Sequence, residues 1–161
     1  MRFRPLLVLT SLILAFLSAA CANQTPNNVV NPVEIPSLPQ PQAGKSVVAG
    51  QVKTNTDQQP IANAPVYLAQ VYWDADHKKA AFALDLARSP AVTTDAQGFF
   101  VFNDIDPNEY VLVVGDFYGQ NDVVRESNGD ARVYKTDAGK LLNVGIVNVR
   151  PLDASASTSQ K

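Results

Sequence analysis

One short stretch of the chain places three metal-ligating side chains close together, namely Asp74, Asp76 and His77. Alternate carboxylates beside an imidazole can hold a divalent cation, but two or three ligands in one loop do not complete a coordination shell. Lys78 and Lys79 follow directly, which is typical of a solvated loop. Because the chain has one His and one Cys, it lacks the ligands of a four-coordinate Cys and His zinc site. We therefore predict no metal and no cofactor.

The imidazole and the carboxylates of the chain raise the question of two kinds of hydrolytic site. A nucleophilic triad needs an imidazole beside a serine, and His77 stands next to no serine motif. Two carboxylates suffice for glycoside hydrolysis, but nothing in the sequence selects a pair among the 15 acids. Asp104, Asp106, Glu109 and Asp116 could gather at one end of a sandwich and bind calcium weakly, although polar turn positions explain them more simply. No catalytic residue is assigned, so we expect a protein that is not an enzyme.

Two aromatic pairs lie at predicted strand ends or loops: Tyr72 with Trp73, and Phe117 with Tyr118. Rings of this kind beside polar side chains can form a platform for a sugar or a peptide. These four residues are therefore the candidate ligand platform. Packing at the rim of the fold is the favoured alternative, because Trp is highly buried on average.

The composition excludes nucleic acid as a partner. The 13 basic and 15 acidic residues give a net charge of −2, and Lys78-Lys79 is the only adjacent basic pair, so the basic patch that phosphates require is missing. A length of 161 residues suits one ordinary domain with appendages. The single Cys excludes an internal disulfide.

The first twenty residues predict an export signal. Two arginines, an apolar run over residues 6–17 and a small-residue end follow one another, which is the usual order in signal peptides. Leu17-Ser18-Ala19-Ala20-Cys21 resembles a bacterial lipobox, which implies lipid attachment at Cys21 and removal of residues 1–20. Ordinary cleavage around Ala20-Cys21-Ala22 is the alternative. Lipidation is favoured because a free Cys has no other evident use in an exported chain.

The rest of the chain divides into a spacer, a body and a tail. Residues 21–45 are rich in Pro, Asn and Gln, and because Pro cannot feed a sheet ladder, this stretch is predicted to be an extended, disordered spacer. Residues 46–152 form the body. Residues 153–161 are mostly Ala, Ser and Thr and are predicted to be a disordered tail.

Short β-branched runs bounded by Gly, Asp, Asn and Pro fill the body. They cover residues 46–53, 64–71, 98–105, 110–116, 131–136 and 141–149. Short strands at this spacing, separated by turn residues, predict an all-β sandwich.

Several motifs of the body resemble a carboxypeptidase regulatory-like domain. They are Gly50-Gln51-Val52, Pro60-Ile61-Ala62-Asn63-Ala64-Pro65-Val66, Thr94-Asp95-Ala96-Gln97-Gly98-Phe99-Phe100-Val101-Phe102 and Ile105-Asp106-Pro107-Asn108-Glu109-Tyr110-Val111-Leu112-Val113-Val114. The resemblance covers the body and implies a transthyretin-like, Greek-key sandwich of about seven strands. It concerns an accessory domain and not a zinc-dependent catalytic domain, so it brings no catalytic residue.

Alternation along each strand assigns side chains to two faces. The predicted inner core consists of Val66, Leu68, Phe100, Phe102, Tyr110, Leu112, Val114, Val144 and Ile146. The opposite faces, which include Phe99 and Val111, are also apolar, so both faces of a sheet are expected to be covered.

Residues 72–89 form an insertion that is too long for a hairpin loop. Phe82 and Leu86 lie four positions apart and would share one stripe of a helix. We expect the insertion to fold as a short helix, capped by Asp74, over the outer face of the sheet. An open face that receives a partner is the alternative.

These predictions define an exported, lipid-anchored, non-catalytic β-sandwich that acts as a binding or structural module at the cell envelope. The fold supports many functions, so the role rests partly on analogy. The alternative is an accessory protein that binds carbohydrate or a small ligand through Trp73 and Tyr118, and a carboxylate-pair hydrolase comes third. The expected partners are membrane lipid, through Cys21, and an envelope protein or carbohydrate.

Overall fold

The computed structural model of the chain describes residue 35 and residues 37–152. The predicted signal peptide, Cys21, most of the spacer and the tail lie outside the described residues, so these assignments stay predictions. The described part contains nine strands and no helix. The strands are β1 (Ser46–Thr54), β2 (Pro65–Trp73), β3 (Ala80–Ala83), β4 (Ala91–Thr93), β5 (Phe99–Ile105), β6 (Glu109–Gly115), β7 (Asn121–Val123), β8 (Val133–Lys135) and β9 (Leu141–Val149).

The strands form two sheets that enclose one core, which confirms the predicted all-β sandwich. In the three-stranded sheet, of order β5-β1-β9, β1 pairs antiparallel with β5 and parallel with β9. The six-stranded sheet has the order β3-β2-β6-β7, with β4 also pairing with β2 and β8 also pairing with β6. Because β3 and β4 share one edge of β2, and β7 and β8 share one edge of β6, the strands occupy about seven positions, as is usual for a sandwich.

The core lies between the sheets and follows the predicted alternation. The Phe100 and Phe102 rings of β5 meet edge to face, with centroids 5.8 Å apart. Leu112 and Val114 of β6 face them and are fully buried. Burial of side chains of this size contributes about 1.5–3 kcal/mol each, so these two strands account for a large part of the driving force for folding.

Ile146 is the one predicted core residue that the structure places outside, with 37% of its surface exposed. Gly145, at φ 72°, lies at a bulge where the register of β9 against β1 shifts. A bulge adds one residue to a strand and reverses the alternation beyond it. Val144 therefore faces the core before the bulge, and Val147 and Val149 face it afterwards.

The turn before β5 forms as its residue types require. The Gly98 N–H donates to the Asp95 carbonyl at 3.0 Å, and the Asp95 carboxylate accepts from the Gln97 N–H at 2.9 Å. Gly98 has φ 79°, and a Cβ there would lie 2.5 Å from the carbonyl oxygen of Val52. Only glycine can fill this position without displacing β1.

The predicted helix in residues 72–89 is wrong, because this segment forms a β-hairpin. β2 continues to Trp73, and β3 pairs antiparallel with it, with Phe82 opposite Val71. Asp74 closes the hairpin loop, where its Oδ1 accepts from the Lys78 N–H at 2.8 Å. The edge of β2 offers unpaired backbone groups to this segment, whereas a short isolated helix has only marginal stability.

The outer face of the six-stranded sheet is covered by the chain itself, although not by the insertion. The outward side chains of Ala69, Val71, Val111 and Val113 are at most 5% exposed. Phe117 packs edge-on against Tyr67 on this face. Residues 125–131, between β7 and β8, lie beside Val71 and Val111. The insertion instead lengthens the sheet at its edge.

The outer face of β1 is buried as well, with Val47 at 2% and Ala49 at 0% exposure. The chain turns just before β1, where the Lys45 N–H donates to the Gln42 carbonyl. Upstream of this turn Ile35 is 7% exposed. Ile35 is therefore packed against protein, as burial of an apolar side chain favours, whereas residues 42–44 of the predicted spacer are exposed.

Candidate functional site

A groove of about 520 Å³ lies on the outer face of the six-stranded sheet. Its floor contains Val71 of β2 and Val111 of β6. One wall is the hairpin that joins β2 to β3, between residues 73 and 82. The other wall is residues 125–131, here called the arm. We call this feature the outer groove.

The indole of Trp73, on the hairpin wall, is held from two sides. Its Nε1–H donates to the Glu109 carboxylate, because both residues point outward from the ends of adjacent strands. The His77 ring stacks on the indole, with centroids 6.1 Å apart and planes at 16°. The side chain remains 39% exposed. A ring that is fixed before binding loses little conformational entropy when a ligand contacts it.

The hairpin loop explains how His77 reaches the indole. The Asp74 N–H donates to the Lys79 carbonyl, and the His77 N–H donates to the Asp74 carbonyl. His77 itself adopts φ 53°, a left-handed conformation that few non-glycine residues adopt and that Asn, Asp and His tolerate best. This turn directs the imidazole back over Trp73.

The arm is a small hairpin with its own hydrogen bonds. The Glu126 N–H donates to the Asp130 carbonyl at 2.8 Å, and the Gly129 N–H donates to the Glu126 carbonyl. Arg125 Nη1 donates to the Gly129 carbonyl at 2.8 Å. At its base, Arg132 makes a two-pronged ion pair with Glu126, at 2.8 and 3.0 Å. This pairing raises the pKa of the Arg132 guanidinium, and the paired groups brace the wall of the outer groove.

The outer groove combines an apolar floor with charges of both signs. Lys78 and Arg125 stand on opposite walls, and neither forms an ion pair with a carboxylate within the described ranges. Asp130 adds one carboxylate, whose Oδ2 accepts from Asn128 Nδ2 at 2.8 Å. Such a lining suits a ligand that has a flat apolar face and polar groups around its edge.

The four residues of the candidate ligand platform lie at different places. Tyr72 and Trp73 are consecutive in β2 and point to opposite faces, and Tyr72 lines a separate groove of about 490 Å³. Phe117 packs against Tyr67, which precedes Trp73 by roughly 20 Å along the strand. Tyr118 contacts Phe117 and is 88% exposed. Of these four residues, Trp73 alone lines the outer groove.

Several of the candidate metal ligands make other contacts. Asp74 bonds to backbone, His77 stacks on Trp73, and nowhere in residues 37–152 do three or more such side chains converge as a metal site requires. Asp106 forms an ion pair with Lys45 at 2.6 Å. Glu109 and Asp116 lie at opposite ends of the β6 region.

Three features of the outer groove were not predicted: the contact of Glu109 with Trp73, the stacking by His77, and the arm. The alternation around Tyr110 already directs Glu109 outward, so this signal was available in the sequence. The pairing of His77 with Trp73 depends on the hairpin, and the arm depends on the interruption between β7 and β8. Neither the pairing of His77 with Trp73 nor the arm can therefore be predicted without the tertiary structure.

The fold and the outer groove together define an all-β sandwich whose candidate site is a surface groove. Among the strands and loops that the structure describes, no helix is long and apolar enough to cross a membrane.

Neither a protein-family model nor a curated protein matches the chain. One similar solved structure is a DUF3823 family protein from Bacteroides uniformis, at 17% identity and a TM-score of 0.38, covering 64% of this chain and 43% of that one. Another is the major pilin subunit of Bacillus cereus, at 12% identity and a TM-score of 0.34, covering 65% of this chain and 30% of that one. The chain thus spans less than half the length of these two proteins.

A third similar structure is a candidate carbohydrate-binding protein from Pseudomonas aeruginosa, at 16% identity and a TM-score of 0.37. The match covers 72% of this chain and 100% of that one.

Proposed function

We propose that the chain is an exported, lipid-anchored β-sandwich that binds a ligand in the outer groove without transforming it. The outer groove is the observation that carries the proposal, since preformed concave sites with an apolar lining and a few polar groups are typical ligand sites. Two nearby carboxylates help to hold the walls of the site, because Glu109 accepts from the Trp73 indole and Asp130 accepts from the Asn128 amide.

Carbohydrate is the ligand class that we place first. The flat apolar face of a sugar ring can lie on an exposed indole, and Trp73 presents such a surface at 39% exposure. Lys78, Arg125 and Asp130 surround the floor and can exchange hydrogen bonds with the hydroxyl groups of a sugar. The rim aromatics Phe117 and Tyr118 are not needed for this site.

We also propose that the body is a carboxypeptidase regulatory-like domain. The turn at residues 95–98 leads directly into β5, and the tyrosine and leucine of the motif, Tyr110 and Leu112, point into the core from β6. These contacts support the resemblance at the positions where its motifs are most specific. The accessory nature of that family agrees with a binding role.

The tryptophan itself provides the test of the outer groove, because it is the only one in the chain. Purified protein is titrated with a panel of oligosaccharides while tryptophan emission is followed, and a saturable change is expected for at least one of them. By calorimetry, Trp73→Ala should abolish that binding, whereas Tyr118→Ala, a matched aromatic truncation outside the groove, should leave it intact. Binding that survives both Trp73→Ala and Phe82→Ala would refute the assignment.

A separate experiment tests the anchor. Each buried CH₂ of an acyl chain contributes about 0.8 kcal/mol, so a multiply acylated Cys21 gives stable attachment. We expect Cys21→Ser to move the protein from the membrane fraction to the soluble exported fraction. Ala22→Ser, one residue further on, should leave it in the membrane fraction. A Cys21→Ser protein that stays membrane-bound would contradict the lipoprotein assignment.

A further inference from the structure

The edges of the two sheets differ in how they are protected against pairing with another strand. Very short strands, charges and interruptions are the usual protection. The edge formed by β3 and β4 consists of four-residue and three-residue strands, and the edge formed by β7 and β8 is interrupted by the arm. β5 carries Asp104 at φ 58° near its end. β9 has nine residues and no charged side chain.

The hydrogen bonds of β9 show which of its backbone groups are free. The Asn55 N–H donates to the Val149 carbonyl, and β1 pairs with β9 in a parallel ladder beyond the bulge. Because alternate residues of a parallel strand bond to the same neighbour, Val147 and Val149 bond to β1. The N–H and C=O groups of Ile146 and Asn148 therefore point away from β1, and within the described part of the chain no backbone partner meets them.

We propose that this free edge of β9 binds the β9 strand of a second copy of the chain. The two strands run antiparallel, with Ile146 of each copy opposite Asn148 of the other and the two-fold axis beside Val147. Each facing pair exchanges both of its backbone N–H···O bonds, as the hydrogen-bonded pairs of an antiparallel ladder do. The two three-stranded sheets then become one continuous sheet.

A second copy suits this edge because the strand is complementary to itself. A two-fold interface brings the same patch together from both subunits, so a charge near the axis would face its own copy. β9 carries none, and the nearest charge along the chain, Arg150, forms an ion pair with Asp122 at 3.1 Å. Lys53 lies opposite Asn148 on β1, one strand further from the interface. In the proposed register Arg150 lies opposite Val144, so the two copies of Arg150 are roughly 20 Å apart. Ile146, at 37% exposure, gains apolar contact across the interface.

Register-specific cross-linking tests this pairing. In the full exported chain carrying Cys21→Ser, one preparation receives Ile146→Cys and the other receives Asn148→Cys with a size tag. Facing residues have Cα atoms about 5.5 Å apart, within disulfide range, whereas each variant paired with itself places its cysteines about 8 Å apart, beyond that range. We expect the mixture to form a mixed disulfide dimer, at least tenfold in excess of the self-linked dimers of either variant alone.

Sedimentation of the same chain provides the second measurement. Asn148→Pro removes a donor that points away from β1, and it should weaken self-association at least tenfold, while Asn148→Ser should not. Asn148→Lys leaves the backbone intact and should weaken association at low salt, with recovery at high salt. Any of three results would overturn the proposal. They are a protein that stays monomeric at all concentrations, self-linked dimers in the same yield as the mixed dimer, and a dimer that neither Asn148→Pro nor Asn148→Lys weakens.

Discussion

The hydrogen bond between Trp73 and Glu109 leads to the sharpest prediction for the outer groove. Glu109→Ala removes the acceptor that fixes the indole Nε1–H and leaves the stacking by His77 as the remaining restraint. We expect the indole to sample further rotamers in this variant. Glu109→Gln is the matched control, because its amide oxygen can still accept from the indole.

The structure sets the size of the effect. A hydrogen bond to a charged group contributes about 1.5–3 kcal/mol when buried, but Trp73 is 39% exposed and water can replace the lost acceptor. We therefore expect a loss of about 1 kcal/mol or less in the free energy of unfolding. Reordering a released side chain costs about 0.5–1.5 kcal/mol on binding, so ligand affinity should fall roughly two- to tenfold.

Time-resolved fluorescence anisotropy measures this effect without a ligand, because the chain has a single Trp. In the unchanged protein the decay should follow the tumbling of the whole body. Glu109→Ala should add a fast component on the picosecond to nanosecond scale of side-chain rotation, and Glu109→Gln should add a smaller one. A Glu109→Ala decay that superimposes on the unchanged protein would refute the role assigned to this bond.

Three further predictions concern stability. Gly98→Ala should destabilise the body by more than the control Gly129→Ala in urea unfolding. Both glycines have positive φ, but a Cβ at Gly98 meets the Val52 carbonyl at 2.5 Å, whereas a Cβ at Gly129 has open space. Equal losses in the free energy of unfolding would contradict this reasoning. Leu112→Ala, at a fully buried site, should cost about 2–5 kcal/mol, and a loss below about 1 kcal/mol would show that the core is not closely packed. Burial raises the pKa of the Tyr134 phenol from its usual value of 10.0. The contribution of the phenol to the free energy of unfolding should therefore be complete below about pH 10 and fall as the pH rises further. Tyr134→Phe should reduce that decline, and an identical pH profile in the variant would exclude the effect.

Alternation and turn chemistry were sufficient to predict the central strands. Phe100 and Phe102 alternate with exposed or half-buried neighbours, and the Asp95–Gly98 turn sets the start of their strand. The signal is strong here because both the side-chain period and the turn are local properties of the chain. The same reasoning placed Leu112 and Val114 in the core correctly.

The two wrong predictions concern segments whose local sequence pattern fits two different structures. Ile146 follows the alternation of β9, but the left-handed Gly145 reverses that alternation, and a glycine in a strand does not by itself indicate a bulge. Phe82 and Leu86 have helical spacing, yet the nearby edge of β2 converts the segment into a hairpin. In both segments, pairing with a neighbouring strand determines which of the two structures forms.

The candidate platform shows the same limit for function. The sequence drew attention to Trp73 as an aromatic residue near a loop, and the structure places it on the wall of the outer groove. It grouped Trp73 with Tyr118, however, because sequence proximity to loops carries no information about distance in space. Glu109, which bonds to Trp73, and the arm, which forms the opposite wall of the outer groove, come from strands and loops that are distant from Trp73 in the chain.

The sequence by itself determined the class of fold, the position of the central strands and most of the residues that fill the core, because side-chain alternation and turn preferences act over a few neighbouring residues. It also supplied the predictions of export and lipid attachment at Cys21. The tertiary structure alone decided the bulge, the hairpin, the outer groove and the free edge of β9. These features depend on which strands meet, and pairing between distant segments is set by the packing of the whole body rather than by any local pattern.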